Sequence, residues 1–145
     1  HTVSLFVRQG EEAVCVEHTV VDRHGVQPAR TTGPRSPLTQ TAAGKVLLLD
    51  ESDLLLQALC QLHGDGLEGL QRDLGTIRAQ GVAFQHESPS VGQHMAAAPI
   101  RNDLGHITAS LALSWHGGDL RSEWVQALQT AAQLISASLG WHPPK

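Results

Sequence analysis

Tyrosine is absent, and the aromatic content of 3% comes from two phenylalanines and three tryptophans. A core of stacked rings is therefore excluded, and Leu, Val, Ile and Ala must fill the interior. The two cysteines, Cys15 and Cys60, lie among apolar neighbours without the spacing of a disulfide framework, which points to a reducing cytosol. No run of 18 apolar residues occurs, so no membrane-spanning helix and no membrane partner are expected. No signal-peptide pattern opens the chain. Basic residues are also in deficit, 10 Lys and Arg against 14 Asp and Glu, for a formal net charge of −4. That balance opposes direct binding of nucleic acid, which needs a basic patch.

What remains is a hydrophobic content of 41% and a charged content of 17% in 145 residues, the profile of one soluble globular domain with a real core. Val3, Leu5 and Val7 alternate with Ser4, Phe6 and Arg8, the period of a strand. Residues 9–12 form a hairpin turn, and Val14 to Thr19 return as a second strand. A short third strand is placed near Val26 to Thr31. Ser52 and its acidic neighbours cap a Leu-rich helix that Gly64-Asp65-Gly66 breaks. Leu67, Leu70, Leu74 and Ile77 share one face of the next helix, and Gly81 fits its left-handed end. Strands follow at Val82 to His86, His94 to Ile100 and Ile107 to Trp115. A long helix then covers Leu120 to Leu139, with Trp124 or Val125, Leu128, Ala132, Ile135 and Leu139 facing inward. The order predicts an α+β fold on a mostly antiparallel sheet.

Little in the chain demands catalysis. No G-x-S-x-G elbow occurs. Gly64-Asp-Gly-Leu-Glu-Gly69 matches a dinucleotide fingerprint, but it follows helical spacing rather than a buried strand, so the match is accidental. Nine histidines invite a metal reading. Cys60 and His63 are three apart on a helix, yet a zinc site needs two more ligands in a compact pattern. No metal and no cofactor are expected.

The strand Ile107 to Ser114 carries more information. Ile107, Ala109, Leu111 and Leu113 form an apolar face, and Thr108, Ser110, Ala112 and Ser114 a small, partly hydroxylated one. The second face suits either a pocket for a small polar ligand or the solvent side of an antiparallel sheet. The next strand divides likewise, with Gln93, Met95, Ala97 and Pro99 opposite His94, Ala96, Ala98 and Ile100.

The organising stretch is 35–49. Pro34 and Pro37 block helix before it, and Thr39 and Thr41 are alternative N-caps. Ala42, Ala43 and Gly44 then start a helix almost without side chains. Such a start either leaves N–H groups open to an anion or lets another element pack closely. Pro37-Leu-Thr-Gln-Thr-Ala-Ala-Gly-Lys-Val-Leu-Leu resembles the signature opening the central helix of the effector-binding domain in IclR-family transcription regulators. Val3 to Gly10 with Val14 to Glu17, Ile77-Arg-Ala-Gln-Gly-Val-Ala, and Val91 to Arg101 with Gly105 to Ser114 resemble further blocks of that family, in order.

The resemblance covers the whole chain and carries several expectations. The fold would be GAF-like, with helices packed on both sides of the sheet. Residues 1–145 would be an effector-binding domain, cut from a longer protein whose upstream winged helix-turn-helix contacts DNA. The sensor would form a homodimer or homotetramer in the cytoplasm and bind a small organic acid or aromatic metabolite. The cavity positions would be Gly33, Pro34, Gln85, Gln93, Met95, Ala112 and Ser114, beside Thr41, Ala42, Ala43 and Gly44. Ser114 would donate to a ligand carboxylate, and the N–H groups of the helix start would receive its charge. Some relatives carry an acidic residue at Gln85, a cysteine at Met95 and a serine at Ala112. The pocket here is accordingly less polar and suited to a larger or more apolar acid. No enzymatic activity is expected; the alternatives are a GAF-like thiol reductase using Cys15 or Cys60, and a domain that only oligomerises.

Overall fold

The computed structural model describes residues 2–22, 25–28, 35–85, 93–116 and 122–143. The elements are β1 Thr2–Gln9, β2 Glu12–Asp22, β3 Gly25–Pro28, β4 Arg35–Pro37, α1 Ala42–Leu47, α2 Asp53–His63, α3 Leu67–Gln80, β5 Ala83–Gln85, β6 Gln93–Arg101, β7 Ile107–His116 and α4 Ser122–Ser138. One seven-stranded sheet has the order β3-β2-β1-β7-β6-β5, with β4 pairing on β2. Every pairing is antiparallel. The expected α+β fold, with helices on both sides, is the one observed.

Each face of the sheet has its own core. On one side Phe6, Ala13, Cys15, Ala97 and Ala112 pack against Ala43, Val46 and Leu47 of α1 and the inner residues of α2 and α3. On the other, Ala96, Ala98, Ile100, Leu111, Leu113 and Trp115 pack against Leu128 and Ala132 of α4. The alternation along β6 and β7 sorts residues between these cores, as the period of two requires.

Two bulges change that sorting. Leu5 pairs with Glu17 but Phe6 with Cys15, so Val16 is the extra residue of β2. Cys15 and His18, three apart, therefore lie opposite Phe6 and Ser4, residues of one face of β1. A second irregularity pairs Ile100 with Ala109 but Arg101 with Ile107. Thr108 is the extra residue there, and Ile107 packs against the α1-side core. The expected grouping of Ile107 with Ala109, Leu111 and Leu113 is corrected by this bulge.

α1 is only six residues long. Leu48 closes it, its N–H turned back to the Lys45 and Val46 carbonyls. Such a short helix depends on packing rather than propensity. A Cβ on Gly44 would lie 2.4 Å from the Leu38 carbonyl oxygen, so the glycine permits close approach of the preceding turn. Arg8–Glu51 at 2.7 Å and Lys45–Asp73 at 2.9 Å tie the α1 region to β1 and α3.

Further along, Gly81 ends α3 at φ 77°, in the left-handed region expected of it. The G-x-G-x-x-G match spans the link from α2 to α3 and the first turn of α3, with Gly64 capping α2 and Gly66 opening α3. α4 buries Leu128, Ala132 and Ser136. Ile135 and Leu139, expected inside, are 37% and 48% exposed. Ser136 is buried instead because it is useful there. Its Oγ accepts the Arg101 N–H at 2.9 Å and donates to the Ala132 carbonyl at 2.8 Å.

Candidate functional site

The register aligns residues of five strands into rows on the α1 side of the sheet. One row runs Thr2, Ser114, Met95, Gln85 across β1, β7, β6 and β5. The next runs His18, Ser4, Ala112, Ala97, Ala83 from β2 to β5. A third runs Cys15, Phe6, Ser110, Pro99. Three of the residues expected from the sequence, Ser114, Met95 and Gln85, thus share one line, with Ala112 beside it.

α1 closes over this end of the sheet. Ala42 donates its N–H to Gln85 Oε1 at 3.1 Å. Thr41 is the N-cap, its Oγ1 accepting the Gly44 N–H at 3.0 Å. Thr39, the other candidate cap, instead donates its hydroxyl to Asp65. Two N–H groups of the first turn are therefore engaged, by Thr41 and Gln85. The expectation that they stand open to a ligand is corrected, because a cap and a neighbouring amide satisfy them first. At Gly44 the small residue serves close packing.

The hydroxylated face is interior from Ser110 to Ser114, whereas Thr108, expected on it, is exposed at the bulge. Ser110 is 0% exposed, Ser114 5% and Ser4 8%. This rules out the solvent-side reading of the β7 face. Ser110 Oγ has no hydrogen-bond partner among the described residues. An unpaired buried hydroxyl is unfavourable by about 1–3 kcal/mol, so this face is not optimised for cohesion alone. Gln93 lies on β6 opposite His116. Gly33 and Pro34 lie outside the described residues.

Strand pairing alone added the β1–β2 contributors. Ser4 adjoins Ala112 and His18 adjoins Ser4, yet in the sequence Ser4 reads as the outward position of an alternating strand. The Val16 bulge, which carries no composition signal, brings Cys15 and His18 together: Cys15 Sγ lies 3.9 Å from His18 Nδ1 and 3.4 Å from the Glu17 carbonyl. Burial pushes the Cys15 thiol up, against lowering by its bonds to the Glu17 backbone and Ser4. Burial, then the charge of Asp65, pushes the Cys60 thiol up. Both shifts oppose thiolate chemistry.

This arrangement of a seven-stranded sheet with a short helix over its polar end can be compared with known proteins. A family model described as Bacterial transcriptional regulator IclR C-terminal matches residues 1–137. The chain belongs to the IclR family. It is 28% identical over 145 residues to the HTH-type transcriptional regulator KdgR of Escherichia coli, covering 91% of this chain and 55% of that protein. It is 28% identical over 156 residues to the HTH-type transcriptional repressor AllR of Salmonella typhimurium, covering 99% and 57%. The chain thus spans a little over half the length of these relatives. The Agobacterium tumefaciens repressor BlcR superposes with a TM-score of 0.82 at 28% identity, over 98% of this chain and 61% of that one. The C-terminal domain of E. coli KdgR does so at 0.76 and 26%, over 97% and 88%.

Among the described residues no three His, Cys, Asp or Glu side chains are grouped so as to hold a metal ion. No described helix is long and apolar enough to cross a membrane. The IclR relatives named above are transcriptional regulators or repressors.

Proposed function

We propose that residues 1–145 are the ligand-sensing and oligomerisation domain of an IclR-type transcriptional regulator, taking a small organic or aromatic acid on the α1 side of the sheet. The observation that carries this reading is the row Ser114–Met95–Gln85, ending at the Ala42 N–H. A hydroxyl, a flexible thioether and an amide form a mixed floor, and mixed floors suit organic acids. Gln85 Oε1 accepts the Ala42 N–H. A ligand carboxylate replaces it there and accepts a second bond from Ser114. Gly33, Pro34, Ala43, Gln93 and Ala112 complete the proposed surroundings, with Thr41 and Gly44 shaping the helix start. Met95 and Ala112 favour an acid with an apolar body. The domain acts without metal, cofactor or catalysis. It works in the cytoplasm as a homodimer or homotetramer, and DNA is contacted through a winged helix-turn-helix elsewhere in the protein.

Thermal-shift screening of organic acids identifies a ligand, and calorimetry on Gln85→Ala then tests the reading. Gln85→Ala frees the Ala42 donor and removes the row's terminal amide, so the affinity changes severalfold while the fold is kept. Unchanged affinity places the ligand elsewhere. Ala112→Leu is a poor probe, since Ala112 is 0% exposed and a larger side chain would strain the core.

A further inference from the structure

A separate cleft of about 430 Å³ opens where α3, α4, the edge of β6 and the turn after α1 meet. That volume lies within the range of small-molecule sites, about 300–1,000 Å³. Its β6 residues Ala98 and Pro99 lie three and four positions beyond Met95 of the Ser114 row. The cleft exists because β5 begins only at Ala83, opposite Ala97, and pairs no further than Met95 to Ala97, leaving β6 uncovered from Ala98 onward.

The cleft differs from the rest of the surface in charge. The chain carries a formal −4, yet Arg78 and Arg101 line the cleft against a single carboxylate, Asp50. Arg101 Nη1 donates to Asp50 Oδ2 and to the Gly105 carbonyl, each at 2.7 Å. That pair holds Arg101 in place and leaves little of its charge available. Arg78 is different. It places Nε at 3.0 Å from the Leu49 carbonyl, and Nη2 donates to the same oxygen. A carbonyl anchors the guanidinium without neutralising it. No carboxylate among the described residues forms a salt bridge with Arg78. A guanidinium has five N–H donors in a fixed fork, so donors remain for a planar anion. The apolar part of the lining comes from Ile77, Pro99 and Ala132, and Trp141 lines the cleft as well.

We propose that this cleft is a second ligand site, which takes a small carboxylate with a flat apolar body. Arg78 pairs with the carboxylate, and the body lies against the apolar lining and Trp141. A fixed cation in a partly apolar cleft favours an acid over the uncharged amide of the same shape. The proposal does not depend on the effector reading of the Ser114 row.

Benzoate is the probe, and benzamide is its uncharged counterpart. The readouts are the Trp141 indole N–H, assigned with Trp141→Phe, and the Gly81 and Ser136 backbone amides, followed by NMR in the ¹⁵N-labelled chain. Benzoate shifts these three signals saturably, and benzamide binds there at least about tenfold more weakly. Arg78→Gln weakens benzoate by about ten- to a hundredfold at these signals. Gln133→Glu, an exposed change that adds a negative charge to the cleft, weakens it as well. Ser114→Ala leaves the three signals' affinity unchanged, even where benzoate also binds the Ser114 row. The proposal is overturned by no saturable shift at tens of millimolar benzoate, by equal binding of benzamide, or by indifference to both Arg78→Gln and Gln133→Glu.

Discussion

The two faces of β7 are built from alternate residues of one strand, and they differ in kind. Toward α4 point Ala109, Leu111, Leu113 and Trp115, which join Leu128 and Ala132 in an apolar core. Toward α1 point Ser110, Ala112 and Ser114, all buried. On the α4 side the buried Ser136 makes two hydrogen bonds, one within α4 to the Ala132 carbonyl and one from the Arg101 N–H that holds the helix to the sheet edge. On the α1 side Ser110 Oγ makes none among the described residues. The separation is not absolute, since Trp115 Nε1 on the α4 side also lacks a partner. The contrast still assigns tasks. The α4 face supplies cohesion, and the α1 face retains polar atoms that cohesion does not need.

Replacing a large side chain on the cohesive face tests this contrast most strongly. Leu111→Ala removes buried apolar volume, so we expect a loss of about 2–5 kcal/mol in urea unfolding. A loss below about 1 kcal/mol would show that α4 contributes little. Gly44→Ala comes next. Its Cβ meets the Leu38 carbonyl oxygen at 2.4 Å, and backbone cannot yield as a side chain can. We expect a loss of about 1–3 kcal/mol, read by the same unfolding curve. Thr41→Ala removes the hydroxyl that caps Gly44, for an expected loss of about 1 kcal/mol. Smallest is Ser110→Ala, which removes an unpaired buried hydroxyl and leaves the methylene in place. Stability should stay level or rise by up to about 1 kcal/mol. A clear loss there would mean that Ser110 is satisfied after all, and the contrast would weaken.

Much of this organisation was legible in the chain, for reasons that particular residues make plain. Leu70, Leu74 and Ile77 are the buried residues of α3, as their spacing requires. Gly81 takes its left-handed cap, and the division of β6 between Met95 and Ala97 on one side and Ala96, Ala98 and Ile100 on the other holds. Of the candidate site, Ala112 and Ser114 were legible on the small face of their strand, Gln85 and Met95 only through resemblance, and strand register then sets the four side by side. Three features were hidden. The bulges at Val16 and Thr108 shift alternation by one residue, and neither residue type announces a bulge. The bond from Ala42 to Gln85 joins residues 43 apart, which no local pattern encodes. Ser136 is buried for the sake of a donor on a distant strand, so apolar spacing pointed to Ile135 instead.

The central claim is that the polar face binds an acid through Ser114, and calorimetry on Ser114→Ala with the acid found by screening tests it most directly. The side chain is small and buried, so its loss barely alters packing. A hydrogen bond to a charged group contributes about 1.5–3 kcal/mol, so the variant should bind the acid about ten- to a hundredfold more weakly at an unchanged melting temperature. Wild-type affinity in Ser114→Ala would contradict the account and leave the buried hydroxyls of β7 without a role in ligand recognition.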